Sequence, residues 1–397
     1  MLVPKLRFKR EDGTDYPEWE THIIGDYLSE SKVIGSNGKT AKKLTVKLWA
    51  KGVVEKNAAF EGSEQTQYYI RRAGQLMYGK LDFLNCAFGI IPQELDGYES
   101  TLDSPAFDIH GINGTFLLSR IIQKSFYKKN GDTANGSRKA KRIHPEVFLH
   151  MEISIPCLEE QQKIADFLST IDEVIAQSES EVANLEQQKK AAMQKIFSQE
   201  VRFRREDGTE YPEWEDCILS DYCKELKSSI DPKKYPQDSF LEYSMPAFDM
   251  DKKPSSVIGN DMNSNRKIVN CPCVLINKLN VRKKRIWKIV NPTNNSVCSA
   301  EFIPVTSDKM SIDFLEHLAL SDRFTARLLD CSTGTSNSQK RVTPDIIMDM
   351  PVSIPCLEEQ QKIADFLSAY DEAISYAKQE LDKWKELKKG LLQQMFV

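Results

Sequence analysis

Sixteen residues, Ser154 to Ser169, return without a change as Ser353 to Ser368, at an offset of 199 (353 − 154). A duplication this strict constrains the fold more than composition does, because both copies must suit the same local structure. A second pair of segments keeps nearly the same spacing: Leu6–Glu20 returns as Val201–Glu215 with 12 identities in 15 positions. The chain is therefore an opener, a variable segment and a repeated motif, followed by the same three parts again. Its 397 residues are too many for one ordinary domain and fit two or three.

Each copy of the motif begins a helical pattern. Alternate steps of four and three from Ile164 meet Leu168, Ile171, Ile175, Ser178, Val182, Leu185, Lys189, Ala192 and Ile196. The same steps from Ile363 meet Leu367, Tyr370, Ile374, Ala377, Leu381, Trp384, Lys388, Leu391 and Met395. Eight of ten and nine of ten are apolar, and both series place a lysine at the same step. An apolar period of 3.5 residues held this long predicts a coiled-coil seam, since a helix lying on a single core drifts off a strict heptad. The seam residues expected are Ile164, Leu168, Ile171, Ile175, Val182, Leu185, Ile196, Ile363, Leu367, Tyr370, Ile374, Leu381, Trp384, Leu391 and Met395.

The variable segments share little identity. Faint correspondences remain: Gly79-Lys80-Leu81 faces Asn277-Lys278-Leu279, each after an apolar run, and Arg142 to Pro145 faces Arg341 to Pro344. Short β-branched runs such as Cys273–Ile276 and Ile286–Val290, with turn residues between them, predict mixed α/β (α+β) domains containing a sheet. The expected division is a first domain over 1–155, a spacer helix over 156–200, a second domain over 201–354 and a second spacer helix over 355–397.

Geometry selects how the two helices pair. A helix over 158–198 is roughly 60 Å long at ~1.5 Å per residue. A compact domain of about 150 residues spans only roughly 40 Å, so parallel helices would oblige the second domain to bridge more than its own width. Antiparallel pairing puts its two ends side by side and brings residues 394–397 back beside the opener. The expected molecule is a dumbbell with an internal pseudo-twofold axis.

Most enzyme signatures fail. Gly35–Thr40 resembles a P-loop, but the first glycine would fall at Val33. The chain has no Gly-x-Gly-x-x-Gly, Gly-x-Ser-x-Gly or His-Glu-x-x-His, and no Asn/Asp-Pro-Pro-aromatic tetrapeptide of the kind amino-methyltransferases use. None of its five histidines recurs between the repeats. Nine scattered cysteines argue for reduced thiols, and only Cys271 and Cys273 lie close together, so no metal site is expected. With no apolar run of membrane-spanning length and nothing like a signal peptide at Met1–Arg7, a cytoplasmic protein is expected.

Charge points two ways. The net value of −4 is unhelpful for a lone nucleic-acid binder. Cations cluster locally, however, and at comparable places in both halves. The first segment carries Lys80, then Lys128 and Lys129, then Arg138, Lys139, Lys141 and Arg142. The second carries Lys278, then Arg282, Lys283, Lys284 and Arg285, and a loop through Thr335, Ser336 and Asn337 that ends in Lys340 and Arg341. Loops of small polar residues ending in Lys-Arg offer flexible backbone, side-chain donors and phosphate-binding cations together. These seventeen residues are the candidate DNA contacts.

The doubled Ile-Pro-x-Leu-Glu-Glu-Gln-Gln-Lys-Ile-Ala-x-Phe-Leu motif, the Arg-Phe…Pro-Glu-Trp openers and the order domain, helix, domain, helix resemble the specificity subunit of type I restriction–modification systems. The resemblance covers essentially the whole chain; Cys157 and Cys356 stand where proline is common in that family. It implies two target-recognition domains, each reading half of a bipartite double-stranded DNA sequence. It also implies an antiparallel coiled coil that sets the spacing and docks two methyltransferase (modification) subunits, with restriction (helicase–nuclease) subunits added. On that resemblance the chain itself is not an enzyme. S-adenosylmethionine, ATP and Mg belong to the partners, and the assembled complex methylates adenine N6 and cleaves DNA. A different class, a coiled-coil adaptor with two protein-binding ends, fits the architecture too, whereas a self-sufficient methyltransferase is opposed by the missing motifs.

Overall fold

The repeated motif starts a helix in both places. The computed structural model, which describes residues 4–56, 62–131, 142–334 and 339–396, has long helices over Leu158–Phe197 and Leu357–Met395. Each follows a strand that stops at a proline, Pro156 or Pro355, because the residue before proline is held extended. Glu159 and Glu160, and Glu358 and Glu359, occupy the first turns, where the exposed N–H groups favour negative charge. The first helix is closed by Gln199, whose left-handed backbone (φ +62°) lets its N–H reach the carbonyl of Ile196. All twenty positions of the two heptad series are buried or half-buried.

The chain divides into two compact units, Met1–Glu179 with Gln379–Val397, and Ser180–Lys378. Both long helices are thus shared between the units, where the sequence division set them apart as separate spacers. The reason lies in their ends. Ile196 and Phe197 are buried in one core with Trp214, Phe314 and Ile363. Met395 and Phe396 are buried in the other with Trp19, Phe116 and Ile164.

In the first unit, Asp172 pairs with Lys388, and Glu179 pairs with Lys385 at 2.7 Å. In the second, Glu186 pairs with Lys378 at 2.6 Å and Lys189 with Asp371 at 2.5 Å. In both units a later residue of one helix meets an earlier residue of the other, so the segments run in opposite directions.

Each unit is built on a four-stranded sheet. In the first, the order is Leu28–Ser31, Ala106–Ile109, Leu76–Tyr78, Phe88–Ile90. In the second, it is Lys224–Glu225, Phe302–Thr306, Cys273–Asn277, Ile286–Ile289. These are the same strands in the same order, and all neighbours are antiparallel. Two short helices follow in each case, Gly114–Ile121 and Lys124–Gly131 or Ile312–Leu320 and Asp322–Asp330. Around this frame the units diverge. The first adds a three-stranded sheet and a hairpin, Leu44–Val46 with Val53–Glu55; the second adds one five-stranded sheet.

The opener is tied to the long helix by one buried carboxylate in each unit. Arg7 donates from Nε and Nη2 to the two oxygens of Glu160, at 3.1 and 2.7 Å. Arg202 does the same to Glu359, at 3.3 and 2.9 Å. Beside them, the Gln161 amide donates to the carbonyl of Pro156 and accepts from the backbone N–H of Asn113; Gln360 repeats this with Pro355 and Ser311. Asn113 and Ser311 in turn cap the helices that follow the sheet. The duplicated Glu-Gln pair therefore joins three chain segments at one point, which accounts for a motif that recurs while its surroundings differ.

Candidate nucleic-acid interface

One cluster of candidate residues is built in the same way twice. The strand Leu76–Tyr78 runs into Gly79 and Lys80. The Lys80 N–H donates to the carbonyl of Asp103 at 2.9 Å, and its own carbonyl accepts from Ile143 at 3.2 Å. This brings Arg142 beside Asp103, with Nε 3.9 Å from the carboxylate. In the second unit the strand Cys273–Asn277 runs into Lys278, whose N–H donates to Glu301 at 2.9 Å and whose carbonyl accepts from Val342 at 3.0 Å. Arg341 then lies beside Glu301, at 3.3 Å from Nη2 to Oε1. A strand end bearing a lysine is thus flanked on one side by an acid and on the other by an arginine that reaches across to it.

Backbone pairing fixes the arginine further in the second unit. Arg341 and Thr333 exchange hydrogen bonds of 2.8 and 2.9 Å, so the base of the loop between them is a closed ladder. Asn280 sits in left-handed backbone (φ +53°) and donates its N–H to the Lys340 carbonyl at 2.8 Å. Asparagine tolerates that conformation better than other side-chain-bearing residues.

The remaining candidates separate by what their charges already do. Lys128 and Lys129 are exposed on the helix Lys124–Gly131, and Arg282 and Lys283 are exposed in the turn after Asn280. Lys284 instead donates to Asp322 at 2.6 Å and to the carbonyl of Leu320 at 2.8 Å. Arg285 is buried and forks onto both oxygens of Asp249, at 2.7 and 2.6 Å; that hydrogen bonding raises its pKa. Lys80 is buried as well, and the loss of water lowers its pKa despite the nearby Asp103. Lys278 and Lys340 are half-buried, while Arg142 and Arg341 have side chains 44% and 51% exposed. Arg138, Lys139, Lys141, Thr335, Ser336 and Asn337 lie outside the described residues.

Asp103 and Glu301 were not among the sequence candidates. The available signal was spacing: they are 198 apart (301 − 103), the offset that also separates Lys80 from Lys278.

Among the described residues, no group of three or more His, Cys, Asp or Glu side chains could hold a metal ion, and no helix is long and apolar enough to cross a membrane. The arrangement suits binding of an extended anion. It offers an arginine beside each strand end, the second fixed by backbone pairing with Thr333, and a lysine at each strand end.

Comparison with known proteins agrees with that chemistry. Residues 113–187 and 277–385 match the type I restriction modification DNA specificity domain. Over 298 residues the chain is 24% identical to the type I restriction enzyme MjaVIII specificity subunit of Methanocaldococcus jannaschii, covering 70% of this chain and 68% of that protein. Its fold is similar to the S subunit of a type I restriction-modification system from M. genitalium, with a TM-score of 0.58 and 12% identity, over 100% of this chain and 99% of the other. It is also similar to a chain from a structural study of assembly and conformational transition in the type I restriction-modification system, with a TM-score of 0.55, 13% identity, and 96% and 98% coverage.

Proposed function

We propose, on the premise that this chain carries the type I restriction modification DNA specificity domain in each half and is a type I specificity subunit, that each unit reads one half of a two-part double-stranded DNA target. The observation that carries the reading is the recurrence of one cation-bearing strand end, Lys80 with Arg142 and Lys278 with Arg341, on two sheets of the same strand order. A protein that reads two separate half-sites needs two such surfaces. Different side chains around them would let the half-sites differ.

In this reading the long helices are an antiparallel coiled coil that sets the gap between half-sites and docks two methyltransferase subunits. The opposed ion pairs in each unit and the cover over the heptad series support it. The chain itself supplies no catalytic groups. Adenine methylation with S-adenosylmethionine, and ATP- and Mg-dependent cleavage by restriction subunits, take place on the partners. Those partners also share the phosphate contacts, which reconciles DNA binding with a net charge of −4.

The deciding experiment is methylome sequencing of a host expressing this chain with its modification partner. One bipartite methylated motif is expected, lost when the chain is deleted; the absence of any such motif would refute the assignment. Removing one heptad from each long helix (roughly 10 Å of rise) should change the gap and leave both half-sites as they were. An unchanged gap would show that the helices are not the ruler.

A further inference from the structure

A carboxylate on a surface that receives phosphates works against binding, because it repels the duplex and keeps a counterion of its own. Yet Asp103 and Glu301 occupy the same place in the two units. Each sits on the residue whose backbone carbonyl accepts from the strand-end lysine, and each faces the arginine on the opposite side of that lysine. The local sequences differ: Asp103 lies between Leu102 and Ser104, Glu301 between Ala300 and Phe302. What recurs is the acid at that position.

The pairs are built to be exchangeable. Both arginines are about half exposed, and an exposed ion pair is a weak restraint. A phosphate can offer the guanidinium two oxygens, where Glu301 meets Arg341 through Oε1 alone, and it brings many neighbouring charges with it. Glu301 Oε2 is buried and has no hydrogen-bond partner among the described residues, and Oε1 takes its ion pair from Arg341 at 3.3 Å, so Arg341 is the cation that answers this carboxylate.

We propose that Asp103 and Glu301 are positioning residues acting as resident anions: each holds its arginine in place until a DNA phosphate displaces it, which weakens sequence-independent binding relative to docking on the target. On the target, contacts elsewhere in the half-site offset the cost of exchange. On random DNA nothing does. The inference rests on the DNA-reading assignment above and adds a discrimination step to it.

The test uses the full chain assembled with its methyltransferase subunits and a duplex of random sequence, titrated over a range of salt. Glu301→Gln keeps the side-chain shape and the backbone carbonyl that Lys278 uses. It should tighten binding about three- to fivefold at low salt and steepen the log–log salt dependence by about one ion. In an Arg341→Ala background the same change should give less than half that gain, because there is no arginine to release. Asp103→Asn with Arg142→Ala gives an independent second reading in the other half. Unchanged or weaker binding by Glu301→Gln would overturn the proposal, and so would a gain undiminished by Arg341→Ala, which would mark a general field effect. Failure of the wild-type complex to bind any duplex would instead defeat the DNA-reading assignment, a result plainly distinct from the others.

Discussion

Both units use one frame, but they fill it differently. Behind the four-stranded sheet of the first unit lies an aromatic cluster: Tyr78, Phe83, Phe88, Phe107 and Phe148. The positions 198 or 199 residues later carry Ile276, Val281, Ile286, Val305 and Ile347, all buried in the core of the second unit. Large rings have been exchanged for branched aliphatic chains without disturbing strand order or register. Phe107 pairs with Leu76 across the sheet as Val305 pairs with Val274. The comparison separates two kinds of constraint. Topology follows from which faces are apolar, whereas the polar clamp of Arg7–Glu160 and Arg202–Glu359 is the same in both because its geometry admits no such freedom.

Truncation of the cores should give the largest effects and should be unequal. Phe148→Ala removes a ring that touches four others and should cost the first unit about 3–5 kcal/mol, against about 2–4 kcal/mol for Ile347→Ala in the second. Denaturant unfolding of the full chain, followed by amide exchange in each unit, would measure both. A larger cost at Ile347 would break the picture of an aromatic core carrying more of its unit's stability.

The clamp should respond nearly equally, with a small bias. Removing Glu359 strands a largely buried guanidinium, so Glu359→Ala should cost about 3–4 kcal/mol. Glu160→Ala should cost about 1 kcal/mol less. The difference comes from tryptophan: Trp214 donates its Nε1–H to Glu359 at 3.1 Å, while the corresponding Nε1 of Trp19 is buried and has no hydrogen-bond partner among the described residues. The same unfolding measurement checks it, and equal costs would remove the tryptophan bond from the account.

Acid should divide the units. His317 is fully buried in the second unit beside Lys189, Glu316, Asp371 and Lys288, with Nε2 3.3 Å from Ser368 Oγ. Burial, helped by Lys189, lowers its pKa to about 4. The folded unit therefore keeps the ring neutral, while the unfolded chain takes up a proton below about pH 6.5. Its contribution is constant above that pH, falls as pH drops from about 6.5 to about 4, and amounts to about 3 kcal/mol. The equivalent stretch of the first unit has Leu118 and Ser119 and no histidine. Amide exchange at decreasing pH should show the second unit loosening first. His317→Gln should flatten that response; an unaltered response would assign the acid lability elsewhere.

The helix ion pairs should matter least. Lys189 is nearly buried and Lys388 is more exposed, so Asp371→Ala should cost about 1–2 kcal/mol and Asp172→Ala under about 1 kcal/mol. Thermal unfolding at low and high salt would order them, and a larger effect at Asp172 would reverse the comparison.

How much of this was legible in the sequence follows from how local each signal is. The helices end within a residue of the heptad series and begin one to two turns before it, because an i to i+3 or i+4 period is written in consecutive residues. Strands Cys273–Asn277 and Ile286–Ile289 fell on the β-branched runs for the same reason. The sheet orders were not readable. The strands are two to five residues long, and Leu28–Ser31 pairs with Ala106–Ile109 across more than seventy residues, a relation no short window contains. Among the candidate contacts, Arg142 and Arg341 stood out by spacing. The engagement of Arg285 by Asp249 was hidden, because charge counting cannot show which cations meet an acid in the folded chain.

The division of the chain has a consequence in time. The second unit is one continuous stretch, Ser180–Lys378, but the first needs both Met1–Glu179 and Gln379–Val397. Its core is incomplete until Met395 and Phe396 arrive beside Trp19 and Phe116. During synthesis, when domains fold as units from the amino end, the half that emerges first must wait, with its aromatic interior unsealed, for residues 379–396 to be made. The half translated second is free to finish first.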